Sequence, residues 1–415
     1  MRAWIRENSL KAGGEIPYRL MVLLVLFVAL PACVNQTIKS ASVPAARTPS
    51  TNIEEELLLD VSIAIFNPGL ADYDEGQQVY PEVRKAEAHY MPNLLSETMQ
   101  NSGAWGAVRV VPDASQISDL MVEGEILYSD GEELRLHITA TDSRDYVWLD
   151  KDYDSNASRY AYQETSRKYQ DPFQAVYNTI SNDLLEKQEK LPPKERKNIR
   201  LVTELLFARS FSSDAFGGYL EQNRKGRYSV KRLPAEEDPM LEWVRSIRDR
   251  DHLFIDTMQE YYASFNEQMI GPYQEWRKLS YEEAIALQEL RAESRRRMIA
   301  GGVALLAGIA GATSNSRVGR AAGSVAILGG GYLLKTGMEK RNETEMHVEA
   351  LEELGQSLEA EISPQVIELE DRTVMLSGSV EDQYAQWREL LAEIYRAEIG
   401  ELDLPEDEAA TNDAL

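Results

Sequence analysis

The stretch Leu120-Met121-Val122-Glu123-Gly124-Glu125-Ile126-Leu127-Tyr128, followed by Asp130-Gly131 and then by Leu134-Arg135-Leu136-His137-Ile138-Thr139-Ala140, decides the fold of this chain. Apolar and polar residues alternate on both sides of the Asp-Gly pair, which is the period of a half-buried strand. Asp-Gly between two such runs predicts a tight hairpin turn, because glycine accepts positive φ without strain. A third run, Tyr146 to Tyr153, extends the meander.

Upstream, Leu57, Leu59, Val61, Ile63 and Ile65 alternate with Leu58, Asp60, Ser62, Ala64 and Phe66 and end at Asn67-Pro68-Gly69. This predicts a strand with one aliphatic face, then a turn. Leu94, Leu95, Thr98 and Met99 share one side of a helix that reaches Asn101 from Pro92 or earlier, and Ser102-Gly103 stops it. Ala107 to Val111 reads as a short strand. Asp171-Pro172 supplies an N-cap and a first-turn proline for a helix carrying Phe173, Val176, Tyr177, Ile180, Leu184 and Leu185 at helical spacing. Residues 53–190 therefore read as an α+β domain, a small mixed sheet with flanking helices.

Leu191-Pro192-Pro193-Lys194 marks a boundary, and residues 195–362 read as mainly helical. Trp243, Ile247, Leu253, Phe254, Met258, Tyr261, Tyr262, Phe265 and Met269 recur at three- and four-residue steps, as the core stripe of a helix bundle does. Tyr281 to Arg297 continues as a charged helix. The composition changes at Met298. Ile299 to Ala312 and Ala321 to Leu334 are Gly/Ala-rich apolar segments, each short for a membrane span. Gly301 and Gly308 in the first, and Gly319 just ahead of the second with Gly323 and Gly331 inside it, put small residues on one face, where backbones approach closely. Residues 298–336 thus predict a hairpin that either packs within the bundle or enters a membrane. Gly329 to Thr336 lacks the glycine that a phosphate-binding loop needs directly before its lysine. Over 363–400, Val366 to Leu369 and Val374 to Gly378 predict a β-hairpin. Tyr384, Trp387, Leu390, Leu391, Ile394 and Tyr395 predict an amphipathic helix after it. Residues 401–415 form an acidic tail.

The amino-terminal residues carry Arg2, Arg6, Lys11 and Arg19, then an apolar run from Met21 to Leu30, then Leu30-Pro31-Ala32-Cys33. That order is an export signal with a cleavage site, and the apolar run is short of the roughly 20 residues a bilayer span takes. Met1 and Met21 both remain as starts; Met21 would leave the apolar run without its positive charge. These residues resemble the bacterial lipoprotein signal, with Leu30 and Ala32 ahead of the cysteine. The resemblance implies a lipoprotein signal over residues 1–33, cut ahead of Cys33 so that this residue, the single cysteine of the chain, is lipidated and becomes the new N-terminus. Val34 in place of aspartate implies the outer membrane, with the body in the periplasm. Residues 34–52, rich in Ser, Thr, Ala and Pro, read as a flexible tether.

The order of elements behind that tether resembles the periplasmic α+β domain of curli-secretion-type lipoproteins, of the TolB amino-terminal domain and of lipoprotein activators of penicillin-binding proteins. Ser102-Gly103-Ala104-Trp105, Val122-Glu123-Gly124-Glu125-Ile126 and Val147-Trp148-Leu149 carry it, over about a third of the chain. It implies protein–protein contact without a catalytic centre. The Gly/Ala-rich segments resemble the glycine-zipper hairpins of some outer-membrane lipoproteins.

With 69 acidic against 44 basic side chains and a net charge of −25, the chain is repelled by nucleic-acid backbones and anionic headgroups unless a local basic patch intervenes. His89, His137, His252 and His347 are scattered, none at ligand spacing with another His or Cys, so no metal site is expected. No Gly-x-Ser-x-Gly elbow occurs, and among 69 carboxylates a pairing has no discriminating force. The sequence therefore leads to a non-enzymatic protein with no catalytic residues, cofactor or identified small-molecule substrate. Its expected partners are a membrane, through the lipid, and envelope proteins or further copies of itself. The alternative is a membrane-inserting oligomer, a channel or transport accessory, built on the 298–336 hairpin. An envelope hydrolase is a third, weaker reading.

Overall fold

The computed structural model describes residues 43–71, 80–158, 160–162, 171–235, 238–310, 348–350, 352–353, 365–368 and 373–398. The fold is α+β. Strands β1 (Val61–Ala64), β2 (Val108–Val111), β3 (Leu120–Ser129), β4 (Glu133–Asp142) and β5 (Val147–Asn156) form one sheet in the order β2-β1-β3-β4-β5. β1 is parallel to β2 and β3, whereas β3, β4 and β5 form the antiparallel meander.

Helices α1 (Pro81–Asn101) and α2 (Gln174–Glu189) cover the inner face of the sheet. Their core joins Leu59, Val61 and Ile63 to Leu120, Val122, Ile126, Leu136 and Ile138, with Leu95, Met99, Tyr177 and Ile180 from the helices. α1 begins with Pro81, whose missing N–H is one of the unpaired donors of a helix start. It runs through Pro92 and ends where Gly103 takes a φ of 67°.

The sequence pattern of β1 marks one aliphatic face, yet all four of its residues are buried, Ser62 and Ala64 of the other face included. The reason is topological: β1 lies between β2 and β3, and a second core covers its outer face. That core packs Ala64 and Val111 against Phe207 of α3 (Pro193–Phe211), Ile255 and Met258 of α5 (Pro239–Ala310), and Leu391 of α6 (Val380–Glu398). Small Ser62 and Ala64 leave room for it.

Between α3 and α5 come the one-turn α4 (Ser213–Phe216) and a hairpin of β6 (Leu220–Gln222) and β7 (Tyr228–Val230), in a stretch where the sequence predicts helix. Strands β8 (Gln365–Glu368) and β9 (Thr373–Leu376) pair ahead of α6, the last helix among the described residues. α5 spans 72 residues, through Pro272 and across the composition change at Met298. Along its predicted stripe Phe254, Met258, Tyr262, Phe265 and Met269 are buried, whereas Leu253, one position out of phase, is 67% exposed.

The described part of the expected tether is docked. The Pro44 and Ala45 carbonyls accept from Asn178 Nδ2 and Asn182 Nδ2 at 2.8 and 3.0 Å. The Arg47 and Ser50 N–H groups donate to Asn182 Oδ1 and Glu189 Oε1 at 2.8 and 3.0 Å. From Val43 onward this segment follows α2 because amide and carboxylate side chains on the helix meet its backbone groups.

Candidate interaction face

Buried charge fixes α5 to the α+β domain. Arg277 Nη2 donates to Asp171 Oδ2 at 2.6 Å and Nη1 to Oδ1 at 3.2 Å, and both side chains are almost wholly buried. The guanidinium also lies 4.1 Å from the ring centre of Tyr273. Beside it, Glu87 of α1 accepts from Tyr273 and Ser129 hydroxyls, both at 2.6 Å, with Arg84 Nε 3.6 Å away. Burial pushes the Glu87 carboxyl above its ordinary value, and Arg84 and the two hydroxyls only partly offset it. Helix α2 begins later than Asp171-Pro172 predicts, at Gln174 with Phe173 as its N-cap; Asp171 instead accepts from the Phe173 N–H in the turn ahead of it, at 2.9 Å.

The Asp130-Gly131 turn is present, but for a different reason from the one its sequence suggests. Gly131 is not among the residues with positive φ. The Asp130 carboxylate accepts from the Glu132 and Glu133 N–H groups at 2.6 and 2.7 Å, and the Asp130 N–H donates to the Glu133 carbonyl at 3.0 Å, which together hold the turn. A Cβ at position 131 would lie 1.8 Å from the Arg277 carbonyl oxygen and 2.3 Å from the Tyr281 nitrogen. Glycine is needed there because α5 crosses the hairpin tip in backbone contact. Gly131→Ala should therefore destabilise the protein by ~1–3 kcal/mol, as overpacking does. Hydrogen exchange should speed up around residues 277–281 and much less in β3 and β4; equal loosening of both would show that the glycine serves the turn.

The two edges of the sheet are treated differently. At β2, the Gln259 amide of α5 acts as a substitute strand: the Val110 N–H donates to its Oε1 at 2.9 Å, and its Nε2 donates to the Val110 carbonyl at 2.8 Å. Arg109 and Asp256 add an ion pair at 2.6 Å. At the other edge, β4 is the one strand neighbour of β5 among the described residues. The Ala157 N–H donates to the Glu132 carbonyl, and β4 pairs with β5 in unbroken register from Glu133 opposite Asn156 to Thr139 opposite Asp150. Antiparallel pairs alternate between hydrogen-bonded and open, so the backbone groups of Asp150, Asp152 and Asp154 point away from β4.

The side chains of those three aspartates share the solvent face with His137 of β4. His137 contacts Asp150 Oδ1 through Nε2 at 3.2 Å and Asp152 Oδ1 through Nδ1 at 2.6 Å, with both carboxylates about 70% exposed. On the opposite face, Lys151 pairs with Asp183 of α2 at 2.8 Å, so the strand's one cation is already partnered. Beyond the Tyr146 end of β5, the β6–β7 hairpin places Arg227 over the Tyr146 ring at 4.2 Å, and its Tyr228 N–H donates to the Arg144 carbonyl.

A further buried carboxylate, Asp251, binds α6 to α5. It accepts from Trp387 Nε1 at 3.1 Å, and from Arg388 Nη1 and Gln116 Nε2 at 3.3 Å. Burial raises its pKa despite Arg388.

Of the residues singled out in the sequence, Cys33, Gly319, Gly323 and Gly331 lie outside the described residues. Gly301 and Gly308 are in the final turns of α5. Among the described residues no helix is long and apolar enough to cross a membrane, and no three His, Cys, Asp or Glu side chains are grouped to hold a metal ion. Sequence reasoning missed the asymmetry of the edges. The Gln259 cap joins residues 149 positions apart, and no local pattern announces it. The alternating aspartates of β5 were in view as strand residues; only the strand order makes them an edge. Compared with protein-family models, with curated proteins and with solved structures, the chain matches none.

Proposed function

We propose that this protein is a non-enzymatic lipoprotein of the bacterial envelope, lipidated on Cys33, whose α+β domain holds a partner protein at the outer membrane from the periplasmic side. The observation that carries the reading is the contrast between the β2 edge, capped at Val110 by Gln259, and the β5 edge, which has no further strand beside it among the described residues, on a domain braced by α5. A rigid sheet with one available edge is a common platform for protein–protein contact. The Cys33 signal supports the location, since two or more acyl chains give stable anchoring.

The test combines lipid labelling with crosslinking in cells. Wild-type protein should take up an alkynyl palmitate and sediment with membranes, and Cys33→Ser should lose both properties. Photo-crosslinkers placed over the folded surface should capture discrete envelope proteins. A protein that labels equally well after Cys33→Ser, or one that captures no protein from any surface position, would overturn the proposal.

A further inference from the structure

We infer that the β5 edge accepts an extended protein segment carrying Lys or Arg at every second position, which adds to the sheet as a sixth strand. This rests on the partner-holding role proposed above and names the kind of partner. Three features converge on it. First, among the described residues the outward backbone groups of Asp150, Asp152 and Asp154 on β5 have no strand partner, whereas the equivalent groups at Val110 on β2 are capped by Gln259. Second, the same three residues direct carboxylates to a single face, so an added strand would set its alternate side chains directly opposite them. Third, the basic side chains nearest these carboxylates are already engaged: Arg135, opposite Asp154, pairs with Glu133 at 3.0 Å, His137 is shared by Asp150 and Asp152, and Lys151 is committed to Asp183 on the other face.

The same features argue against a second copy at this edge. Pairing β5 with itself would set aspartates near aspartates, which is unfavourable across a sheet, and two chains of net charge −25 repel before contact. A basic segment is drawn in by that same field. The basic β6–β7 hairpin beside Tyr146 bounds the acidic edge at one end, which limits the added strand to the stretch from about Asp150 to Asn156.

The probe is a synthetic peptide of alternating Lys and Thr, seven residues long at ~3.4 Å each, titrated onto the full chain. Two comparison peptides are used: one with Glu in place of Lys, and one N-methylated at alternate residues to remove strand donors. The Lys/Thr peptide should slow amide exchange at Asp150, Asp152 and Asp154, and the methylated one should not. In the variant D150K/D152K/D154K, whose altered side chains are solvent-exposed, affinity for the Lys/Thr peptide should fall roughly tenfold or more while the Glu peptide gains. Equal binding of methylated and unmethylated peptides would mean general charge attraction and would overturn the inference. So would the absence of protection in β5.

A photo-crosslinker replacing Val147, beside the edge, separates this inference from the broader one when compared with crosslinkers replacing Leu253 and Met375, which are exposed on α5 and β9. Capture only at the latter two would refute the edge and leave partner binding standing. Capture at none of the three, or at any other surface position, would refute both.

Discussion

Asp171→Ala is expected to destabilise the protein by ~3–5 kcal/mol, because it leaves the Arg277 guanidinium buried without its carboxylate. Arg277 and Asp171 lie 106 residues apart in sequence and form a two-bond pair with side-chain exposures of 1% and 5%. Burial disfavours the guanidinium charge, but Asp171 and the surrounding tyrosines outweigh it, so the Arg277 pKa is raised overall. Removal of the anion takes away the largest favourable contribution while the desolvation remains. Arg277→Met should be comparably harmful for the mirror-image reason, since Asp171 is then the unpaired charge. The double variant Asp171→Leu/Arg277→Met should recover most of the loss, because a buried ion pair replaced by apolar side chains of similar size is often neutral or better. Urea unfolding of the three variants measures this. A loss in the double variant equal to the sum of the two single losses would contradict the pair as the origin of the effect, since coupled neighbours are strongly non-additive.

That pair also shows where sequence reading ends. The strands of the meander were legible because alternation and Asp-Gly are local signals, and the helix of Phe173 to Leu185 was legible from its spacing. The amphipathic α6 was legible on the same grounds. What escaped depends on contacts between distant segments. Nothing local marks the Ser62 and Ala64 face as buried until α3, α5 and α6 close over it. Gly131 reads as a turn residue until α5 crosses it. Arg277 and Asp251 carry no local mark in the sequence, although each is buried where another element meets α5. The β6–β7 hairpin was missed because each strand has three residues, too few for a period to register. Its one local mark is Gly226, which takes a φ of 85° in the turn. The acidic edge required both scales, a local alternation of aspartates and a strand order that no local pattern contains.

His252→Gln should change how stability responds to acid. Burial holds the His252 imidazole down to about 4, and Arg248 and Arg109 push it in the same direction against Asp60 and Asp256. In the unfolded chain the ring protonates near 6.5, so between about 6.5 and 4 the unfolded state binds a proton that the folded state refuses. Stability from this residue is therefore complete above 6.5 and is lost as the pH falls toward 4, by on the order of 2–3 kcal/mol at pH ~4.5. Glu87, Asp119 and Asp251 act in the opposite sense. Burial raises all three above their ordinary 4.5, 3.8 and 3.8, so the folded state takes up protons first and gains stability as the pH falls through their raised values toward those ordinary ones. The wild-type curve is the sum of opposed contributions and should be flatter than either. His252→Gln removes one side of the balance: relative to wild type it should gain roughly 2–3 kcal/mol between pH 7.5 and 4.5, whatever its offset at neutral pH. Unfolding free energies across that range give the result directly, and parallel curves for the two proteins would show that the folded state accepts the His252 proton after all.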